Sequence, residues 1–360
     1  VVICQDDMAA KRLQEELKAF LKEVVPVLPS RDLTLYDSAV VSRGWEQKRL
    51  RGMYEFARGQ HRIQVMSIEA ASMRTMPRSV LEQAAIYLEC GMQMEPEELA
   101  RRLIYSGYSR CNLVEGVGQF ALRGGIVDIF SPAHDEPVRV EFFGDEIDTM
   151  GTFQVQTQRR TENVDRLTVL PTAECQPRLH PGGTEGLCAD LRDLIARQKR
   201  RRRPHEELIR NLERDLEKLE NGISFPAADR YMALIYPEFA TALDHAPEDA
   251  VIFFCDHGNI RRAVGQHLDS LAQELDGLLQ TGSLAGELCE FSCEWDDLCR
   301  SLSGRAVVYL DEYVHLIPGD RIEGLFRLRC TTGGREEATY HRGNGILLLC
   351  YPESELNILQ

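Results

Sequence analysis

The chain has 360 residues, which is too long for one ordinary domain and predicts two or three. Its 42 Lys and Arg against 57 Asp and Glu give a formal net charge of −15, which argues against a nucleic-acid clamp acting through the whole chain, because such proteins are usually basic. The 11 cysteines contain no C-x-x-C pair and no apolar run reaches the length of a membrane span, so the composition favours a reducing, cytoplasmic setting over a zinc centre, a disulfide scaffold or a membrane protein.

Three segments share one pattern, in which a short apolar run ends in Cys and is followed by a polar loop and a helix-period sequence. They are Val1–Leu17, Val251–Leu268 and Ile346–Gln360. Strand, loop and amphipathic helix form the repeating unit of a parallel α/β sheet. The first unit opens on Val1 without a Met, which is typical of a segment cut from a longer protein. Further elements of this layer are expected as strands at Leu33–Leu35, Arg62–Ser67 and Ala306–Leu310, and as helices at Glu46–Arg58 and Arg78–Leu88.

The middle of the chain has a different pattern. From Gly118 to Leu170, short alternating runs with turns at Ser131–Pro137 and Gly144–Asp145 predict an antiparallel meander, preceded by a helix at Glu95–Ser106. A small α+β module is therefore expected between, or inserted into, α/β segments. After it, Leu187–Gly222 predicts a long helical stretch with charges three or four residues apart.

Two features of the sequence could belong to a nucleotide site. Gly124-Gly125 could cradle a phosphate, but no Gly-Lys dipeptide occurs in the chain, so the pair favours a bulge or a close backbone approach within a strand. Asp256 follows an apolar run where hydrolysis would use Asp followed by Glu, and Val307–Glu312 has that acidic pair without a phosphate loop. Neither segment predicts catalysis.

The basic run has two interpretations. Lys199, Arg200, Arg201, Arg202 and Arg203 could contact a nucleic-acid backbone. Runs of this kind also occur at solvated helix ends, and Pro204 directly after this one signals a break. Both interpretations stay open.

Period two in the strand-like run Val138–Phe143 divides its side chains between two faces. The face expected toward the core carries Val138, Val140 and Phe142. The other carries Arg139, Glu141 and Phe143, and Arg123 on the preceding strand could join them. Arginine beside an exposed aromatic is typical of a protein–protein anchor. The alternative is that Phe143 packs against the helix at Glu95–Ser106.

The segment Gly118–Arg159, with G-Q-F-A-L-R-G-G-I-V-D-I-F, E-P-V-R-V-E-F-F-G-D-E-I-D and T-Q-R, resembles the second domain shared by the excinuclease subunit UvrB and the bacterial transcription-repair coupling factors. Looser similarity to the coupling factors occurs at Leu35–Ser38, Gly107-Tyr108 and Val169–Glu174. UvrB keeps a phosphate loop and an Asp-Glu strand end, whereas this chain has Asp256-His257. The resemblance therefore favours the coupling factors.

This resemblance implies an α/β fold, namely an incomplete helicase-like parallel-sheet domain derived from P-loop NTPases, with an inserted α+β UvrA-binding domain that contains the meander. The implied domains are 1–87 (domain 1a), 88–172 (domain 2) and 173–330 (domain 1b), followed by a linker and the start of a further domain at 331–360. Within that last segment, Thr331–Asn344 matches nothing in the family.

The implied function is an adaptor that recruits UvrA to RNA polymerase stalled at a DNA lesion. By resemblance, the UvrA-contacting residues are Arg123, Arg139 and Phe143. No catalysis and no cofactor are expected in this segment, because in the family ATP, Mg²⁺, RNA polymerase and DNA are bound through other domains, one of which masks the UvrA-binding face. The alternative is a UvrB-type DNA-dependent ATPase whose phosphate loop lies upstream of Val1.

Overall fold

The structure is a computed structural model that describes residues 1–36, 44–223 and 227–310. The predicted unit Ile346–Gln360, the acidic pair Asp311-Glu312 and the segment 331–360 lie outside the described residues. We call residues 1–85 and 170–310, as far as they are described, the body, and residues 86–169 the module. No helix in these described ranges is long and apolar enough to cross a lipid bilayer.

The strands are β1 (Val2–Cys4), β2 (Val27–Leu28), β3 (Val65–Ser67), β4 (Ile86–Glu89), β5 (Ser109–Arg110), β6 (Gln119–Arg123), β7 (Ile126–Ile129), β8 (Val138–Phe143), β9 (Glu146–Phe153), β10 (Arg160–Asn163), β11 (Arg166–Val169), β12 (Ile252–Cys255) and β13 (Val307–Leu310). The α-helices are α1 (Asp7–Leu21), α2 (Gly44–Ala57), α3 (Ile68–Ser72), α4 (Arg78–Ala84), α5 (Pro96–Tyr105), α6 (Gly183–Lys199), α7 (Glu206–Glu220), α8 (Met232–Ile235), α9 (His257–Gln280) and α10 (Trp295–Ser301).

The body is built on a parallel sheet with strand order β13-β12-β1-β3-β2. Successive residues of β1 point to opposite faces, so Ile3 packs into the larger core with α2 and α9, while Cys4 packs with α1. Coverage of both faces explains why the strands are continuous apolar runs rather than alternating ones. The predicted parallel α/β layer is confirmed, including the strand–helix units β1–α1 and β12–α9.

The strand predicted at Leu33–Leu35 is wrong. The edge strand on this side is β2, and the chain after it carries no strand through Leu35. The backbone N–H of Thr34 donates to the Asp229 carboxylate at 2.7 Å, and the Arg31 guanidinium pairs with the same carboxylate at 2.6 Å. These buried polar contacts take up a backbone donor that a sixth strand would need.

The helix predicted at Arg78–Leu88 is too long, because α4 ends at Ala84 and the next residues form β4. This strand pairs antiparallel with β11, with Ile86 opposite Val169. Ile86 and Leu88 are buried while Tyr87 and Glu89 are exposed, which is the two-residue period of a strand. The chain enters the module on β4 and leaves it on β11.

The module contains a second sheet with strand order β10-β9-β8-β7-β6-β5, antiparallel except for the β5–β6 pair. The predicted meander, both of its turns and the helix α5 before it are confirmed. One face of this sheet buries residues such as Phe120, Val127 and Val140 with Leu99 and Leu103 of α5. Every buried residue of this core lies between Ile86 and Val169, so the module has a core of its own.

The helical stretch predicted at Leu187–Gly222 is two helices, α6 and α7, with Pro204 between them. Arg192 in the middle of α6 pairs with Glu220 at the end of α7, and Lys199 at the end of α6 pairs with Glu213 in the middle of α7, so the two helices run antiparallel. The fully buried Asp215 of α7 accepts a hydrogen bond from the Tyr231 hydroxyl at 2.7 Å and pairs with Arg230 at 3.3 Å. These contacts tie the helical hairpin to the rest of the body.

A buried carboxylate anchors the chain where it returns from the module. Glu174 is fully buried, and its carboxylate lies 3.2 Å from Nε of Arg49 and accepts a hydrogen bond from the Thr75 hydroxyl. Burial opposes ionisation, but Arg31 and Arg49 together lower the pKa of Glu174 below its ordinary value. Three separate segments of the body therefore meet at this residue.

Candidate docking site

The Gly pair forms a turn between two strands, so the bulge predicted within one strand is wrong. The close backbone approach predicted as its alternative is present, since a Cβ on Gly125 would lie 3.1 Å from the Phe142 carbonyl oxygen. Arg123 ends β6 and pairs with Ile126, which begins β7, leaving only Gly124 and Gly125 to reverse the chain. Gly124 has φ +59° and Gly125 has a negative φ, as in the type II′ turn common in two-residue hairpins. The turn places Arg123 beside a hairpin tip.

The outward position of Phe143 is confirmed. Val138 and Val140 of β8 are buried in the module core, whereas the side chain of Phe143 is 83% exposed. Phe143 therefore does not pack against α5, which covers the opposite face of the sheet. Phe142 lies partly buried against the core, as period two predicted.

The centre of the outward face is a carboxylate that sequence reasoning missed. Asp128 of β7 is 0% exposed and lies directly opposite Arg139 of β8. Nε of Arg139 donates to Oδ1 of Asp128 at 2.7 Å and Nη2 donates to Oδ2 at 3.0 Å. Arg123 donates to the same Oδ2 through its own Nη2. Two guanidinium groups thus share one buried carboxylate.

Arg139 is less open to solvent than strand alternation predicted, with its side chain 19% exposed. Besides the fork to Asp128, its guanidinium carbon lies 4.9 Å from the centre of the Phe153 ring, a cation–π distance. Phe153 belongs to a small second cluster with Val114 and Ala121. The hydrogen bonds to Asp128 raise the pKa of Arg139, so the group is a fixed cation.

A second ion pair extends the face toward the edge strand. Nη1 of Arg160 in β10 donates to Glu141 of β8 at 3.1 Å, and Nη2 donates to the Met150 carbonyl at 2.6 Å. Arg160 reaches Glu141 by crossing β9 over Gly151, where a side chain would collide with it. We define the docking face by Arg123, Asp128, Arg139, Glu141, Phe143 and Arg160.

The docking face combines fixed cations with a free aromatic ring. Its three arginines and two carboxylates leave one net positive charge on a chain that is strongly negative overall. Arg123, whose side chain is 44% exposed, keeps guanidinium donors that Asp128 does not use. Such a surface suits a partner that offers a carboxylate beside an apolar pocket.

Two residues of the basic run form ion pairs in the structure. Lys199, the last residue of α6, pairs with Glu213 at 2.6 Å, and Arg201 pairs with Glu287. Arg200, Arg202 and Arg203 are exposed beyond the helix end. The run therefore does lie at a solvated helix end, and contact with DNA stays a prediction.

Asp256 caps a helix. It has φ +63° and its carboxylate accepts from the backbone N–H of Asn259 at 3.3 Å, at the start of α9. A carboxylate in this role satisfies an otherwise unpaired helix N–H group. Among the residues that the structure describes, no group of three or more His, Cys, Asp or Glu side chains could hold a metal ion.

Comparison with known proteins finds a family model that matches the part of the chain carrying the docking face. Residues 86–174 match the family model of the UvrB interaction domain, a range that contains the whole docking face. The transcription-repair-coupling factor of Bacillus subtilis is 27% identical over 286 residues, which are 78% of this chain and 24% of that protein. The chain is similar in sequence to the transcription-repair-coupling factors. Those of Myxococcus xanthus and Escherichia coli are 32% and 29% identical, each over 48% of this chain and 15% of their own length. The chain thus spans a quarter or less of the length of these relatives.

Proposed function

We propose that the docking face binds UvrA, and that the chain is the UvrA-recruiting adaptor of a transcription-repair-coupling factor that acts at RNA polymerase stalled on damaged DNA. The observation that carries this proposal is Phe143, a large apolar residue that is 83% exposed and lies on the same face of β8 as Arg139, which shares one carboxylate with Arg123. Its position within the UvrB interaction domain supports it. UvrA is the proposed partner because the second domain of UvrB, which the module resembles, binds UvrA.

The chemistry of the face defines the complementary surface on UvrA. Burying a phenylalanine ring stabilises a complex by about 1.5–3 kcal/mol, which makes Phe143 the expected anchor. Arg123 supplies donors that can fork onto a carboxylate, and Arg139 adds a fixed charge beside it. We therefore expect an apolar pocket on UvrA with carboxylates at its rim.

The remaining roles belong to the proposal and rest on the family. We place the body in the helicase-like lineage of P-loop NTPases and assign no nucleotide chemistry to it. ATP, Mg²⁺, DNA and RNA polymerase would be bound by other parts of the full-length relatives, one of which would mask the docking face. A UvrB-type ATPase has less support, because Asp256 caps α9 and is followed by His257 instead of Glu.

Phe143→Ala tests the proposed site. We expect the 360-residue chain carrying this substitution to bind UvrA roughly 30-fold more weakly in a calorimetric titration, because truncating a central anchor costs about 2 kcal/mol or more. Ile104→Ala is the matched control, since Ile104 is a 40% exposed aliphatic residue on α5, which packs on the other face of the same sheet.

The control variant should bind UvrA like the wild type. Equal affinity of both variants and the wild type, with unchanged circular dichroism, would move the UvrA site away from Phe143. An absence of any binding by the wild-type chain would contradict the adaptor function itself.

A further inference from the structure

We infer that Asp128 is a positioning residue of the docking face, which sets the affinity for UvrA without touching it by holding Arg123 and Arg139 in one arrangement. This inference rests on the proposed function. Asp128 is 0% exposed, so a partner docking on the face reaches the two guanidinium groups and not the carboxylate beneath them.

The strand register explains how one carboxylate can serve two arginines. Asp128 lies between Ala121 of β6 and Arg139 of β8 in the cross-strand direction. Arg123 lies two residues beyond Ala121 on β6 and reaches diagonally from the hairpin tip to Oδ2 of Asp128. Arg139 approaches from the other side and occupies both oxygens.

Positioning matters because arginine is a flexible side chain. A free arginine loses about 2 kcal/mol of rotamer entropy when a complex fixes it. The planar fork to Asp128 and the Phe153 ring already fix Arg139 in the unbound chain, so docking need not order it. The negative charge of Asp128 also offsets the electrostatic repulsion between the guanidinium groups of Arg123 and Arg139.

A purely stabilising role for Asp128 makes a different prediction. In that case, removing its charge would lower the free energy of unfolding, while the folded fraction would bind UvrA unchanged. In the positioning role, the loss of affinity depends on Arg139 being present. A double-mutant cycle separates the two roles, because residues that act through each other are not additive.

The experiment titrates UvrA with the full chain as wild type, Asp128→Asn, Arg139→Ala and the double variant. We expect Asp128→Asn to weaken binding roughly tenfold in the wild-type background and less than about threefold in the Arg139→Ala background. Asp215→Asn is the matched control, because Asp215 is equally buried and also holds an arginine, but lies in α7 of the body. It should lower stability and leave the affinity unchanged.

Additive losses in the cycle, or full affinity of a folded Asp128→Asn chain, would overturn the positioning role. If Asp128→Asn does not fold, the cycle of Arg123→Ala and Arg139→Ala replaces it. Non-additivity there supports a shared carboxylate, and additivity overturns it. The Phe143→Ala titration keeps the two proposals distinct: a weakened Phe143→Ala with an additive cycle leaves UvrA docking intact and removes only the role of Asp128.

Discussion

At the scale of single residues, Gly124 shapes the hairpin turn beside the docking face. Its φ of +59° is one that L-amino acids with a side chain rarely adopt, and a Cβ built there would meet no atom within 4 Å. The requirement for glycine is therefore conformational and not steric. Gly124 reverses the chain so that Arg123 and Asp128 come together on neighbouring strands.

Gly124→Ala is expected to lower the free energy of unfolding by about 1 kcal/mol or more, because alanine is strained at this φ. Gly116→Ala serves as the control, since Gly116 also has open space around it but has no positive φ. That variant should be neutral or slightly stabilising. Urea unfolding of both variants measures the difference. Equal effects on the free energy of unfolding would show that the positive φ of Gly124 does not matter for stability.

At the scale of elements, the edge strand β10 is attached to β9 partly through one side chain. Arg160 of β10 crosses β9 and ends on Glu141 of β8, so three strands are joined on the outward face. The crossing needs the missing side chain of Gly151, where a Cβ would lie 2.2 Å from Nε of Arg160 and 2.7 Å from the Glu162 carbonyl oxygen. The second atom is backbone and cannot rotate away.

Gly151→Ala is therefore expected to destabilise the module by about 1–3 kcal/mol and to displace β10 from the sheet. Hydrogen exchange checks where the damage occurs. The amides of β10 should exchange faster, while the amides that pair β7 with β8 keep their protection. Faster amide exchange across the whole module, or no change in exchange, would contradict the role of Arg160 in holding β10 to the sheet.

At the scale of the whole molecule, three histidines that are fully or partly buried have lowered pKa values. Burial lowers the pKa values of His134, His245 and His267 below 6.5. His245 is fully buried and hydrogen-bonds through Nε2 to the Met76 carbonyl at 2.8 Å. In the unfolded chain these residues take up protons at higher pH than in the folded chain, so acidification favours unfolding.

The free energy of unfolding should accordingly be highest above pH 6.5 and fall as the pH drops from 6.5 toward the folded-state pKa values. Each residue contributes at most about 1.4 kcal/mol per pH unit within that window. His245→Gln, whose amide can still donate to Met76, should lose less stability than the wild type between pH 7.5 and 5.5 in urea unfolding. An identical loss in both chains would show that His245 is not a source of the pH dependence.

Much of the fold and part of the docking face could be predicted from local sequence patterns. The strand–helix units of the body and the outward position of Phe143 follow from periodicity within one element, so neighbouring residues suffice to predict them. The failures depend on partners far along the chain. Thr34 is held by Asp229, and Ile86 pairs with Val169. Asp128 was missed for the same reason, because its meaning comes from the register that sets it opposite Arg139.

The ribbon of β4 and β11 has a consequence for how such a module spreads through evolution. Because Ile86 and Val169 are cross-strand neighbours, the chain enters and leaves the module at adjacent positions, and every buried residue of the core between them belongs to the module. A segment of this geometry can be gained, lost or exchanged by a recombination event that leaves the host's own path unbroken. One docking surface can thereby recur in proteins whose other parts have diverged or do different work.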